Sequence, residues 1–252
     1  MKARETLVSR GMVDADDRIL QTMDIDQGRA LLLDKDGVNR TRAALFFSRN
    51  PMLLTEEIGS LLLKQLMEEK KLYTRLAITE ALEHSTETSI PYLMCEYLGM
   101  IGNNQLKSLP ERPSKKTSYP LPRDIIARSL GRMKEKAVPA MLDTLFKGSD
   151  QQVREVIDAL GFNFFYNRSL LTEAIFQQIY HQLRTTFDDD LMSWKFIIFA
   201  SALSNEQGSL VYEAIKENKE SVPKLFEEEW ERTRRIISKR QGDLISNPKD
   251  VE

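Results

Sequence analysis

The chain has 252 residues, of which 41% are hydrophobic and 29% charged, a balance typical of folded globular proteins that argues against wholesale disorder. Its formal net charge of -2 gives no support for a domain that wraps nucleic acid, although it leaves room for a local basic patch. The one cysteine, Cys95, excludes an intramolecular disulfide and a zinc site built from several cysteines.

Residues 1–17 contain no apolar stretch of the kind found in signal peptides. Further along the chain, no window approaches the roughly 18 consecutive apolar residues that a membrane-spanning helix needs. We therefore expect a protein of the cytoplasm that does not associate with a membrane.

Helical periodicity dominates the chain. In residues 90–101, apolar side chains recur at spacings of three and four, which places them on one face of a helix. Alternating apolar runs and Asn-Gly or Asp-Gly hairpin signals are missing, so no strand is predicted. The predicted helices lie at about 14–23, 26–34, 38–49, 54–69, 71–84, 87–101, 122–133, 136–147, 150–161, 169–184, 189–203, 206–217 and 221–240.

An internal repeat links the middle helices. Two segments each have an arginine, a leucine seven residues later and a proline nine residues after that leucine. A third segment repeats a Leu-Gly pair 30 residues beyond the second one. The positions are Arg75, Leu82 and Pro91, then Arg123, Leu130, Gly131 and Pro139, then Arg154, Leu160 and Gly161.

This pattern resembles HEAT repeats, most clearly over residues 71–161. The resemblance implies an all-α fold, a right-handed α-α superhelix of stacked antiparallel helix pairs forming a HEAT-like solenoid. It also implies that Asp150 and Arg154 form the acid–base pair that often runs along such a stack. In each repeat, the second helix would line a long curved face that binds partners.

The same reading treats residues 1–252 as a single repeat domain. Repeats are expected over about 14–217, interrupted by an insertion at 103–121. Residues 221–240 run from acidic to basic side chains, which suits the helix dipole and a C-terminal capping helix with Ser221 as its N-cap. Residues 241–252 are expected to form a tail.

The insertion 103–121 is rich in proline and in basic residues, including Lys115 and Lys116. One interpretation is a docking loop or basic finger, and Pro110 and Pro113 with Lys115 also resemble a ligand for proline-binding domains. The other interpretation is a mobile, solvated insertion.

Aromatic residues are concentrated between 162 and 199, beginning with the segment GFNFFYN at 161–167. We expect that segment to be a turn between helices whose rings fill the joint. Stacking of the rings on bases or on a planar ligand is the alternative.

Catalytic signatures are missing, since the chain has two histidines and none of the common catalytic or nucleotide-binding motifs. We therefore predict a non-catalytic scaffold or adaptor that binds another protein or peptide and needs no cofactor or metal. The candidate contact residues on the solvent side of the second helices are Tyr92, Cys95, Glu96, Asp143, Gln177 and His181.

Two other functions stay open by resemblance. HEAT-like alkylpurine DNA glycosylases bind duplex DNA on a basic concave face, and here Trp194 and Arg128 would be the matching residues. HEAT-like phycobilisome lyases handle linear tetrapyrroles, for which the aromatic cluster would be the pocket. Salt-dependent DNA affinity would separate the first of these from the scaffold.

Overall fold

The structure is a computed structural model that describes residues 2–14 and 17–246. Over these residues the chain forms fourteen α-helices and four short 3₁₀ helices, without a β-strand. The chain divides into two compact units, Met1–Asn103 and Asn104–Glu252. The boundary coincides with the start of the predicted insertion, so that segment belongs to the second unit. The assignment of one repeat domain to residues 1–252 stays a prediction.

The first unit contains seven helices, and several begin at an acidic or hydroxyl N-cap. Asp24, Asp36 and Thr55 each accept a hydrogen bond from a backbone N–H of the first turn, which satisfies a donor that the helix leaves unpaired. The helices are α1 (Lys2–Ser9), α2 (Arg18–Thr22), α3 (Ile25–Leu32), α4 (Gly37–Arg49), α5 (Glu56–Glu68), α6 (Leu72–His84) and α7 (Ile90–Glu96).

Helix α4 is central in this unit and packs against α3 and α6. Phe47, Leu62 and Leu82 are fully buried and contribute to the apolar core. Arg40 holds the buried Glu69 with two hydrogen bonds, Nε–Oε2 at 2.6 Å and Nη2–Oε1 at 3.0 Å. A forked pair of this geometry keeps a buried carboxylate satisfied.

The second unit contains the other seven helices, and it begins with an irregular proline-rich segment at 104–122. The helices are α8 (Ile125–Arg132), α9 (Val138–Lys147), α10 (Asp150–Tyr166), α11 (Glu173–Leu183), α12 (Asp190–Phe199), α13 (Asn205–Glu217) and α14 (Lys224–Ser246). Helix α10 packs against α8, α9 and α12, and α14 packs against α12 and α13. Phe164, Phe196 and Phe226 are fully buried within this core.

The predicted helices agree with the structure in type but differ at several ends. Helix α7 ends at Glu96 instead of residue 101, because the chain turns there and Gly99 and Gly102 adopt φ of +78° and +82°. Helix α14 begins at Lys224, so Ser221 lies too early to be its N-cap. Helix α1 was not expected at all.

The largest correction concerns GFNFFYN. This segment is not a turn, because α10 continues through Tyr166. Its buried side chains, those of Asn163 and Phe164, face the core of the second unit. The amide of Asn163 donates to the carbonyl of Lys134 at 2.8 Å, which ties α10 to the connection between α8 and α9. Bulky rings and asparagines have only modest helix propensity on their own, so the sequence of this run favours a turn although the helix continues through it.

The leucines, glycines and prolines of the repeat occupy consistent environments, whereas the arginines do not, because Arg123 is exposed and Arg75 and Arg154 are half-buried. The three leucines are fully buried, and Gly131 and Gly161 are buried as well. The two prolines lie in the first turns of α7 and α9, where the missing N–H has no helical partner to lose. These leucines are Leu82, Leu130 and Leu160, and the prolines are Pro91 and Pro139.

The predicted pair between Asp150 and Arg154 does not form. Arg154 instead bonds Asp189, with Nη2–Oδ2 at 2.6 Å and Nε–Oδ2 at 3.0 Å. Asp189 is the N-cap of α12 and also accepts the backbone N–H of Met192. A carboxylate there satisfies both the helix end and the arginine, which explains the preference for Asp189.

Candidate partner-binding site

Residues 104–122, called the strap below, are anchored on α14. Arg232 donates from Nε to the carbonyl of Lys116 and from Nη2 to the carbonyl of Ser118, each at 2.7 Å. Glu229, which is fully buried, accepts the backbone N–H of Ser114 at 3.0 Å and pairs with Arg232 Nη1 at 2.6 Å. The strap is therefore held on α14 at Ser114, Lys116 and Ser118, so a mobile, solvated insertion does not describe these three positions.

Tyr119 fixes the end of the strap nearest α8. Its ring is 3% exposed and packs edge-on against Phe162 and beside Phe165. A Cβ added to Gly161 would lie only 1.9 Å from the Tyr119 hydroxyl oxygen, so only glycine leaves room for the ring. Burial raises the pKa of Tyr119 well above its ordinary value, and the nearby Asp158 adds to this effect.

The anchored strap and α14 form a groove of about 540 Å³. Pro113 and the buried Ile236 contribute apolar surface to it, whereas most of the other walls are polar or charged. We call this the basic groove, and its lining residues are Pro113, Ser114, Lys115, Lys116, Thr117, Glu228, Arg232, Arg235, Ile236 and Lys239.

The groove has a local excess of positive charge. Its one carboxylate, Glu228, already pairs with Lys224 at 3.3 Å, and Arg232 is neutralised by Glu229. Four exposed cations line the groove without an ion-pair partner among the described residues, and they are Lys115, Lys116, Arg235 and Lys239. Arg235 and Lys239 lie one helical turn apart, so they present charge along one side of α14.

A second, smaller cavity of about 290 Å³ lies beneath the other side of the strap. Prolines 110, 113, 120 and 122 line it together with Trp194 and Ile198 of α12. Two polar atoms of its lining residues are buried without a hydrogen-bond partner, the Nε1 of Trp194 and the hydroxyl of Tyr119. Pro110 and Pro113 therefore face a cavity of the same unit, which argues against their acting as a free ligand for proline-binding domains.

An ionic cluster lies behind this cavity. Lys195 is 2% exposed, and its ammonium donates to Asp158 at 2.8 Å, to Glu155 at 3.2 Å and to the carbonyl of Arg154 at 2.6 Å. Burial raises the pKa of Glu155 to about 7, opposed by Lys195 and aided by Asp158. Burial alone would lower the pKa of Lys195, but the two carboxylates outweigh it, so the net shift is upward.

The structure places three of the predicted contact residues on α7 in the first unit. Tyr92 is 47% exposed and Glu96 is also exposed, so both can meet a partner. Cys95 is 4% exposed, which corrects the prediction that it faces solvent. It lies one turn after the buried Pro91, on the side of α7 that faces the core.

Three further predicted contact residues lie in the second unit but outside the groove and the cavity. Asp143 of α9 pairs with Lys147 at 2.5 Å. Gln177 and His181 are exposed one turn apart on α11, and the amide of Gln177 donates to Glu173 at 2.6 Å. The described contacts do not join these residues into one site.

Lys115 and Lys116 are the predicted residues that the structure brings into the candidate site, since both are exposed and line the basic groove. The basic residues of α14 that line the same groove are not among the predicted contact residues. Arg235 and Lys239 have a signal in the sequence, their spacing of four on one helix face, but the charge pattern of α14 by itself predicts only a capping helix. Nothing in the local sequence indicates that Arg232 binds the strap.

The residues proposed for DNA glycosylase chemistry are not presented together at the surface. Trp194 is 6% exposed, and Arg128 donates from Nη2 to the carbonyl of Pro122 at 3.1 Å. The described residues contain no group of three or more histidine, cysteine, aspartate or glutamate side chains able to hold a metal ion. Among the same residues, every helix is too short or too polar to cross a membrane.

Comparisons with known proteins identify no relative of this chain. No protein-family model matches the chain, and searches of curated proteins and of solved structures find no match. The resemblance to HEAT repeats therefore stays a prediction from residues 71–161.

Proposed function

We propose that the protein is a non-catalytic interaction scaffold on a HEAT-like solenoid, and that its basic groove binds an acidic segment of a partner protein. The observation that carries the proposal is the set of four cations in the groove, none of which has an ion-pair partner among the described residues. An acidic segment would supply the missing carboxylates.

The construction of the groove supports this choice. One wall is the strap and the other is α14, and Arg232 together with Glu229 fixes the distance between them. A preformed groove loses little conformational freedom when a ligand enters it, so more of the contact energy contributes to affinity. Pro113 and Ile236 offer apolar surface to the side chains that alternate with the acids.

Nucleic acid is the alternative partner, and the groove fits it less well. Its lining residues include no aromatic ring on which a base would stack. The chain as a whole carries a formal net charge of -2, whereas domains that wrap nucleic acid usually carry a clear excess of basic residues. A short basic groove in a weakly acidic protein suits an acidic peptide better than a duplex.

The test measures fluorescence anisotropy of a fluorescein-labelled peptide, six repeats of Glu-Ala, with six repeats of Gln-Ala as its neutral control. We expect the acidic peptide alone to bind, with affinity that falls as salt rises from about 50 to 300 mM, because the contacts are charged and exposed. The variant Arg235→Gln with Lys239→Gln should lose about tenfold in affinity.

A control variant with the same net charge distinguishes the loss of groove cations from a general loss of positive charge. Lys147→Gln with Lys216→Gln removes the same two charges from exposed positions outside the groove, and we expect its affinity to be unchanged. Equal loss in both variants would contradict the proposed groove. Tighter binding of a DNA oligonucleotide than of the peptide at the same salt would favour the nucleic-acid alternative.

A further inference from the structure

The cavity beneath the strap and the basic groove share Pro113, Ser114, Lys115 and Lys116 but differ in the rest of their linings. Arg112, Arg123 and Trp194 line only the cavity, whereas Arg235 and Lys239 line only the groove. Its volume of about 290 Å³ is at the lower end of the range for small-molecule sites, which is about 300–1,000 Å³. The cavity is thus too small for a folded partner but large enough for a small organic molecule.

The walls of the cavity combine apolar surface with cations. Prolines of the strap, Leu121 and Ile198 provide the apolar part. Four basic residues line the cavity, and they are Arg112, Lys115 and Lys116 of the strap and Arg123, which directly follows it. The one carboxylate in the lining is Asp158, which already pairs with Lys195 at 2.8 Å. The charge balance therefore favours an anion over a cation or a neutral polar molecule.

Two buried polar groups of the lining lack partners. The indole N–H of Trp194 is a donor only, so no cation and no donor can satisfy it. The hydroxyl of Tyr119 is likewise buried and unbonded. Leaving a buried donor unsatisfied usually costs about 1–3 kcal/mol, and most native proteins avoid it. An acceptor oxygen would satisfy the indole N–H, and the cations of the lining favour an oxygen that carries negative charge.

We infer that the cavity beneath the strap is a binding site for a small organic anion, a carboxylate carried on a compact apolar body. The apolar body lies against the strap prolines and Ile198. The carboxylate lies towards the strap cations and accepts a hydrogen bond from the indole N–H of Trp194. This site goes beyond the proposed groove, because its ligand is a small molecule and not a protein segment.

The experiment follows the indole N–H signals of ¹⁵N-labelled full-length protein by NMR. The chain has two tryptophans, so the variant Trp230→Phe identifies the signal of Trp194. Benzoate is titrated as the probe up to about 20 mM, a range that detects dissociation constants in the millimolar region. Benzamide, which has the same shape without the charge, is the control ligand.

We expect benzoate to shift the Trp194 signal saturably and benzamide to bind at least about tenfold more weakly. The variant Arg112→Gln removes a cation of the cavity alone and should weaken benzoate binding about tenfold, whereas Arg235→Gln in the groove should leave it unchanged. Tyr119→Phe, which removes only the hydroxyl, should stay folded and weaken benzoate binding to a smaller extent.

Three results would overturn the inference. The first is a Trp194 signal that is insensitive to benzoate, which is the result expected if a buried water molecule satisfies the indole. The second is an equal shift of this signal by benzamide, and the third is benzoate binding by Arg112→Gln as tight as that of the parent. Benzoate binding by Arg112→Gln tests the cavity, whereas peptide binding by the variant Arg235→Gln with Lys239→Gln tests the groove. Either proposal can therefore fail while the other holds.

Discussion

The ammonium group of Lys195 is almost wholly removed from solvent, and three acceptors surround it. Asp158, Glu155 and the carbonyl of Arg154 use its three N–H donors. Two carboxylates face one cation, however, so the cluster carries an excess of negative charge when both are ionised. The second oxygen of Glu155 has no hydrogen-bond partner, and the pKa of Glu155 is raised to about 7.

The first prediction concerns Glu155→Gln. The folded protein holds a proton on Glu155 up to about pH 7, whereas the unfolded chain releases it near the ordinary value of 4.5. The stability that this proton contributes is complete below about pH 4.5 and is lost as pH rises through 7. The amide keeps an acceptor for Lys195 without the charge. The free energy of unfolding of the variant, taken relative to that of the parent, should therefore rise by about 2 kcal/mol between pH 5 and pH 8.

Urea unfolding of both proteins at the two pH values measures this difference. Glu111→Gln, at an exposed position of the strap, is the matched control and should show no such change with pH. A stability difference between Glu155→Gln and the parent that stays constant or falls as pH rises would contradict the raised pKa of Glu155.

Individual contacts were the hardest level to predict from the sequence. The burial of Leu82, Leu130 and Leu160 agrees with their helical periodicity, because period alone determines which side faces the core. The partner of Arg154 could not be found this way. Asp150 is its neighbour in sequence, but Asp189 is its neighbour in space, and only the packing of α10 against α12 brings it near.

At the scale of elements, the strap depends on one side chain of α14. Arg232 spans the carbonyls of Lys116 and Ser118 and also neutralises the buried Glu229. A planar guanidinium suits this task, because its fixed fork of donors can bind several acceptors at once. The basic groove and the small cavity both have the strap as a wall, so Arg232 supports both of them.

The second prediction is that Arg232→Met detaches the strap. Its removal leaves Glu229 as a buried carboxylate without its cation, which should cost about 3 kcal/mol. Trypsin should then cleave after Lys115 and Lys116 much faster than in the parent. Unfolding in urea and time-resolved proteolysis measure the two effects.

Arg234→Met serves as the control for this experiment. Arg234 pairs with Glu231 at 2.8 Å, but both side chains are 55% exposed, so its loss should change stability by less than about 0.5 kcal/mol. If trypsin cleaved the strap of both variants at the same rate, Arg232 would not be the residue that anchors the strap on α14.

The elements themselves were largely predictable, and the strap was not. Amphipathic spacing and first-turn prolines located most of the helices, because both signals are local. The strap has no repeating apolar pattern, and its prolines predict only an extended backbone. Its docking depends on Glu229 and Tyr119, whose partners lie far away in sequence, so composition alone gave a choice between a docking loop and a solvated insertion.

At the scale of the whole molecule, the chain forms two compact units that meet in sequence at Asn103 and Asn104. The basic groove, the cavity and the ionic cluster all lie in the second unit. The core of that unit includes Phe164, Phe196 and Phe226, which are fully buried. A unit with its own core is expected to fold independently.

The third prediction is that residues 104–252 fold alone, with helical circular dichroism and a cooperative thermal transition. A shorter fragment, 120–252, lacks the strap bonds to Arg232 and Glu229 and leaves the position beside Gly161 open. We expect it to melt roughly 10 °C lower, as a loss of a few kcal/mol implies for a domain of this size. Equal melting temperatures would mean that the strap adds no stability, and an unfolded longer fragment would refute the independence of the unit.

The contact between Ser114 and Glu229 joins residues 115 positions apart in the chain, and this separation affects how the protein is made. A ribosome adds about 5–20 residues per second, so the strap emerges several seconds before α14 exists. During that interval the proline-rich segment and the face of α12 beneath it have no cover. Closure of so long a loop comes late in folding. The nascent second unit is thus expected to need a chaperone most while its last helix is still being synthesised.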